Sequence, residues 1–332
     1  MNDGFDESKD SAWSSAAAAA LKTPTSTGKV VKTPTSSSKS KDGPRAYLPH
    51  EKAVAWAGQL TTLAWLALCA AAFLAIASTF EVAGLPMVEA SVTRTTFAFG
   101  AFAIMLSCLL LEVFWMPMPR DPKLPGARAK DATKWAIMSS GFGLLCFFTC
   151  QTIILTTCAH FVWLLGEASL FTSMPLPRCL AFAYNIDIFV SSLCIMVTLL
   201  FLKLCWYEPK WRRDILEINL VEHSPHFGSV QLFIHAVELP LGILSPLCLK
   251  CSPLLAAVKP NLLSLTLGSL VYGLCYICLM ATMYIWYDAA IYPFIVDMHA
   301  VKPFPLGWLG FWAAISLLIA VCVNGLACLV YV

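Results

Sequence analysis

Charged side chains are scarce in this sequence. Only 13% of its 332 residues are Asp, Glu, Lys or Arg, about half the ~25% of an average soluble domain. So little charge cannot cover the surface of a soluble chain of this length, which excludes an ordinary water-soluble enzyme. Net charge is equally small, +2, so a nucleic-acid partner has no electrostatic support. Short alternating strands are missing as well, which excludes an outer-membrane type of barrel. No G-x-S-x-G elbow and no H-E-x-x-H motif is present. No cleavable leader is expected, because the first long apolar run begins only at Ala53.

What the chain has instead is apolar length, with 58% hydrophobic residues. Seven runs lie near 53–80, 96–116, 135–166, 181–206, 229–249, 261–296 and 306–332. Most reach the ~20 residues that a membrane helix needs. The expected fold is all-α: a polytopic membrane helix bundle of about seven transmembrane helices over 53–332, with six as the alternative. Residues 1–52 read as a disordered cytoplasmic tail, rich in Ser, Thr, Lys and Ala, in which Lys22-Thr-Pro-Thr-Ser26 recurs as Lys32-Thr-Pro-Thr-Ser36. With seven spans, 18 of the 22 Lys and Arg fall on one side and 4 on the other. That asymmetry puts the N-terminus in the cytoplasm and the C-terminus opposite; six spans would break it. The endoplasmic reticulum or the plasma membrane is the expected location.

Fourteen cysteines lie mostly inside apolar runs, where free Cys acts as a small hydrophobe. The two C-x-x-C pairs, Cys248/Cys251 and Cys275/Cys278, sit at a helix end and deep within a run. They are poorly placed to converge on zinc, and no metal or organic cofactor is implied.

Polar residues that interrupt apolar runs carry the information, because they face a bundle interior when they occur in lipid. Thr149, Thr152, Thr156, His160, Trp163 and Glu167 share one stripe of about 80° on the third run. Gln231, His235, Glu238 and Gly242 share one on the fifth. A membrane Thr often bonds only its own i−4 carbonyl, and a membrane His often serves as interhelical glue. Glu112, Glu167 and Asp297 lie near run ends, where solvated positions are expected. Two polar stripes on parallel helices nevertheless offer a Thr hydroxyl and an imidazole to each other. A Thr hydroxyl becomes a nucleophile only beside a base such as His; composition and periodicity alone give a polytopic membrane protein with a polar interior.

The stretch Phe147-Phe-Thr149-Cys-Gln-Thr-Ile-Ile-Leu-Thr-Thr-Cys-Ala-His-Phe-Val-Trp-Leu-Leu-Gly-Glu167 resembles the nucleophile helix of the androgen-induced protein family, which are integral-membrane threonine hydrolases. Phe233-Ile-His235-Ala-Val-Glu-Leu-Pro240 resembles that family's catalytic-His helix, and Tyr292-Pro-Phe294 its Tyr-Pro-Phe. The matches cover about 130–332, in the family's order, with one run between the Thr and His helices. The sequence departs where the family commonly has Gly and Trp, here Asp288 and Ala290, and in carrying the first run and the tail.

The resemblance implies Thr149 as nucleophile and His235 as base. It also implies a long-chain lipid ester as substrate, such as a fatty acid ester of a hydroxy fatty acid, and membrane lipids as surroundings. Glu238, on the His235 face, is a candidate to orient the imidazole; Thr152 and Gln151 are candidates for the oxyanion site. Depth offers a competitor. If the third run is helical from Trp135, Thr149 lies ~21 Å in, whereas His235 lies only ~9 Å into a fifth helix starting at Ser229. The resemblance removes much of that gap, because it implies that the membrane part of the third span starts near Cys146 and ends near Phe171. Without the shift, Thr61 is the runner-up nucleophile, followed by Ser139. The alternative class is a non-catalytic transporter, receptor or lipid-binding scaffold, and Leu239-Pro-Leu-Gly242 offers a broken helix of the transporter kind.

Overall fold

The structure, a computed structural model, describes residues 46–80, 88–115, 118–124, 129–172, 176–207, 227–250, 261–292 and 294–331. Most of the tail, with its repeated Thr-Pro segments, lies outside the described residues, as does Cys251. The last residues assigned to the tail do not belong to it: the first helix, α1, runs Pro49–Thr79. Pro49 stands in its first turn, where the missing N–H costs nothing. Buried Glu51 accepts the Leu48 amide at 2.7 Å and the Asp121 amide at 2.9 Å, tying this helix end to the loop after the second helix. The Lys123 amide bonds the Asp121 carboxyl and, with His50 beside it, holds it below the usual carboxylate range.

The remaining helices are α2 (Val92–Trp115), α3 (Ala129–Ser139), α4 (Phe148–Ser169), α5 (Pro177–Phe201), α6 (Phe227–Lys250), α7 (Leu262–Tyr287), α8 (Phe294–Ala300) and α9 (Leu306–Tyr331). Every regular element among the described residues is helical. All but α3 and α8 are long and apolar enough to cross a bilayer, which gives seven candidate spans. The protein is a multi-pass membrane helix bundle.

Four helices close a ring. α4 packs on α2 and α5, α5 packs on α6, and α6 returns to α2. α1 lies outside α4 and α5, α9 lies against α5, and α7 packs chiefly on α9. Burial follows this arrangement: 78% of the apolar stretch of α5 and 72% of that of α4 are buried, against 17% for α1 and 22% for α7. The outer helices present rows of exposed apolar side chains, such as Leu267, Val271 and Leu274 on α7 and Leu317 and Val321 on α9. Water would penalise such faces, whereas lipid tails solvate them.

The proline step in α6 does not break it. The helix is continuous through Pro240 and Pro246, so the transporter-like interruption is not formed. Gly242 serves packing instead. A Cβ there would fall 2.7 Å from the Ser191 carbonyl oxygen and 3.1 Å from Cys194 Cβ, so its absence lets α6 lie directly on the backbone of α5.

The third apolar run, 135–166, is not one span. Its first part belongs to the short helix α3, and a 3-10 turn, Gly143–Cys146, re-aims the chain before α4 starts at Phe148. The cause is Gly143. Its φ of +53° is the left-handed region that glycine enters freely, and a Cβ there would lie 2.6 Å from the Gly58 carbonyl oxygen of α1. Thr62 of α1 holds the same corner: its hydroxyl donates to the Gly58 carbonyl at 2.9 Å and accepts the Leu144 amide at 3.0 Å. The depth gap between Thr149 and His235 disappears with this correction, since Thr149 is the second residue of its helix.

Gly143→Ala should cost about 1–3 kcal/mol, from left-handed strain together with the clash at Gly58. Gly141→Ala, where a Cβ meets open space, should stay within about 0.5 kcal/mol of the parent. Thermal melts of the detergent-solubilised variants check this; equal losses at the two glycines would contradict it.

Candidate active site

Inside the ring, at the end shared by the N-termini of α4 and α6 and the C-termini of α2 and α5, Thr149 meets His235. Thr149 Oγ1 lies 3.0 Å from His235 Nε2. Thr149 is half-buried and the imidazole is buried. The other ring nitrogen, Nδ1, lies 2.8 Å from the Gln231 carbonyl oxygen one turn earlier. A carbonyl only accepts, so Nδ1 carries a hydrogen, and when the ring is neutral Nε2 presents its lone pair to the Thr149 hydroxyl. The ring is held on its face by Phe201, stacked at 3.7 Å and 13°. Its backbone is held by Thr198, whose hydroxyl donates to the His235 carbonyl at 2.6 Å. Gln231 is itself anchored: its side-chain amide donates to Glu112 Oε2 of α2 at 2.7 Å. Four helices therefore fix one imidazole in one tautomer.

No family model, curated protein or solved structure matches the chain.

Thr149 also occupies the first turn of α4, where backbone amides lack intrahelical acceptors. The N-cap residue Phe147 supplies no side-chain cap. The Phe148 amide donates to Tyr292 Oη at 3.2 Å, and Tyr276 donates to the same oxygen at 3.4 Å. Tyr292, the first residue of the Tyr-Pro-Phe segment, thus touches α4 one residue from Thr149.

The other sequence candidates fall in different places. Thr152, one turn from Thr149, is buried, and its hydroxyl has no partner among the described residues. Gln151 is committed elsewhere: its amide donates to the Leu145 carbonyl at 2.8 Å and its oxygen accepts from Tyr272 at 2.9 Å. With Ile154 and Leu155 it lines a cavity of about 250 Å³ between α1, α4 and α7, on the face of α4 turned away from Thr149. Glu238 is fully buried and neither carboxylate oxygen has a partner among the described residues, so it does not orient the imidazole; the Gln231 carbonyl does. Thr61 is half-buried on α1, with no hydrogen bond to His235. Ser139 is exposed and bonds back to the Trp135 carbonyl at 2.7 Å.

Two acids expected in solvated positions are buried instead. Glu112 is the Gln231 anchor just described. Glu167 is fully buried, accepting from Arg94 Nε at 2.9 Å and from Trp163 Nε1 at 3.2 Å. The Asp297 side chain lies outside the described residues. Among the described residues no three His, Cys, Asp or Glu side chains converge as a metal centre would require.

Sequence reasoning missed Thr198 and Phe201. Their signal was present: they lie three residues apart, on one face, at the C-terminal end of the run between the Thr and His helices. An antiparallel span brings that end to the level of Thr149.

The Arg94–Glu167 pair gives a stability test. Arg94→Leu leaves a buried carboxylate without its cation and should cost about 3–5 kcal/mol, whereas Arg94→Leu with Glu167→Leu should recover most of that loss. Unfolding of both variants in mixed micelles decides it; a double variant as unstable as the single one would contradict the account.

Proposed function

We propose that this protein is an integral-membrane hydrolase of lipid esters, akin to the androgen-induced protein family, with Thr149 as nucleophile and His235 as general base. One observation carries the reading: Thr149 Oγ1 stands 3.0 Å from Nε2 of an imidazole whose Nδ1 faces the Gln231 carbonyl oxygen at 2.8 Å. A Thr hydroxyl is a weak nucleophile until an adjacent base takes its proton, and this pair has the required geometry. Support also comes from Asp288, which stands where the family commonly has Gly. It closes α7 at φ +50°, a conformation glycine adopts freely and Asp tolerates better than most residues.

The chemistry runs in two halves. Oγ1 of Thr149 attacks the ester carbonyl while His235 Nε2 takes its proton. The tetrahedral intermediate collapses, the ester C–O bond breaks, and the imidazolium returns the proton to the departing alcohol. Water then attacks the acyl-threonine, His235 again taking and returning one proton, to release the fatty acid. Negative charge on the carbonyl oxygen develops beside the first turn of α4. There the Thr149 and Cys150 amides and the helix dipole favour an anion, and the Thr152 hydroxyl adds a donor one turn on. The half-buried Thr149 lies at the end of the ring that the charge asymmetry assigns to the cytoplasm, so an ester near the headgroup level meets it without crossing the bundle. Endoplasmic reticulum or plasma membrane remains the proposed setting.

Turnover of fluorogenic long-chain esters by protein in lipid nanodiscs tests this. Thr149→Ala and His235→Gln should each lose at least ~10³-fold in kcat, whereas Thr61→Ala and Ser139→Ala should stay near the parent. Full turnover by Thr149→Ala would remove it as nucleophile. A parent protein that turns over no ester would favour the non-catalytic class.

A further inference from the structure

Deeper in the same ring lies a second group of chemically complementary side chains. Ser245 of α6 bonds Asp187 Oδ1 of α5 at 2.5 Å and lies 3.4 Å from His160 Nε2 of α4. All three are buried: Asp187 is 4% exposed, Ser245 0% and His160 2%. Ser191, one turn from Asp187, adds a longer bond to the same Oδ1 at 3.5 Å. His160 Nδ1 lies 2.8 Å from the Thr156 carbonyl oxygen. As in His235, a carbonyl partner puts the hydrogen on Nδ1 and leaves Nε2 as the variable nitrogen.

Counting hydrogens decides what this group must hold. With Asp187 ionised and His160 neutral, Asp187 Oδ1 and His160 Nε2 are both acceptors, and Ser245 has one hydrogen to offer between them. One contact would then be acceptor against acceptor. An uncompensated carboxylate would also stand inside an apolar bundle, which is costly. One additional proton resolves both problems in either of two places. On Asp187, the carboxyl donates to Ser245 Oγ, and Ser245 donates to Nε2. On His160, Nε2–H donates to Ser245 Oγ, and Ser245 donates to the carboxylate. The heavy-atom positions serve both states, and the cluster is neutral in each.

We propose that Asp187, Ser245 and His160 form a buried proton-binding site, which holds one proton and passes it between the carboxyl and the imidazole through the Ser245 hydroxyl. The transfer balances: the Asp187 O–H bond breaks as Ser245 Oγ takes that proton, and the proton originally on Ser245 goes to Nε2. No net charge is created and no co-reactant is needed. The site is separate from Thr149 and His235, and it does not rest on the hydrolase reading. Other ionisable groups of the ring, Cys108 and Glu112 of α2, Cys194 of α5 and Glu238 of α6, are buried as well. A proton held here keeps the net charge of this cluster at zero. Along α4 the site lies between the Thr149–His235 pair at one end and the Arg94–Glu167 pair at the other, so polar chemistry runs the length of this helix.

Infrared and NMR spectroscopy of the full chain in nanodiscs, with isotope-labelled aspartate carboxyls and histidine rings, reads the proton directly at neutral pH. The parent protein should show either one protonated aspartate carboxyl, lost in Asp187→Asn, or one imidazolium, lost in His160→Gln. Ser245→Ala should shift whichever signal is present, because it removes that group's hydrogen-bond partner. An ionised Asp187 together with a neutral His160 in the parent would overturn the proposal, and that measurement depends on no variant folding. A signal that Ser245→Ala leaves unmoved would overturn the relay.

Discussion

A polar side chain surrounded by hydrocarbon can bond only to other protein groups, and this constraint organises the molecule. The ring of α2, α4, α5 and α6 is where the polar side chains of those helices turn to find one another. Thr149 finds His235, Gln231 finds Glu112, Thr198 finds the His235 carbonyl, and Ser245 finds Asp187. The outer helices make such bonds as well, among them Gln59 to the Val113 carbonyl and Tyr272 to Gln151, and present apolar outer faces. The bond from His235 Nδ1 to the Gln231 carbonyl is the most consequential member of the set. In the neutral ring it leaves the Nε2 lone pair facing the Thr149 hydroxyl. An acidic side chain is not needed for this, because a helix supplies a carbonyl one turn back from every residue it contains.

Much of this architecture is legible in residue order. The apolar runs give the seven spans, and the polar residues at helical spacing on 149–167 and 231–242 give the two faces that meet. The third run misleads because hydropathy does not register a turn made of apolar residues. Leu144, Leu145 and Cys146 are as apolar as the helix that follows, and only Gly141 and Gly143 mark the corner. Glu112 and Glu167 mislead for a related reason. Position near a run end suggests solvent, but a carboxylate with a committed donor, the Gln231 amide or Arg94, is retained inside. The spacing of Thr198 and Phe201 at the end of their run is visible, but an apolar run does not say which of its faces touches a neighbour. That information belongs to the packing of α5 on α6, which close approach at Gly242 permits.

The location of Thr149 suits the proposed chemistry for physical reasons. At the second position of α4 it shares the helix terminus where backbone amides lack intrahelical acceptors and the dipole is positive. A Thr in mid-helix would have neither. Gly143 opens the turn between α3, which ends at Ser139, and α4, which starts at Phe148, so this turn places Thr149 at a helix start. Tyr292 completes the terminus from the other side by accepting the Phe148 amide. Thr149 is half-buried and His235 buried, so in the proposed reaction the hydroxyl is reachable and the imidazole shielded.

The central claim is that Thr149 is the activated nucleophile. Covalent labelling tests it most directly: react the membrane-embedded protein with a fluorophosphonate, digest it, and locate the adduct by mass spectrometry. The account predicts a single phosphonylated site at Thr149, formed in the parent and absent in His235→Gln, where the residue that takes the proton is gone. An adduct on Thr61, Ser139 or any other residue, or labelling at Thr149 that persists undiminished without His235, would contradict it.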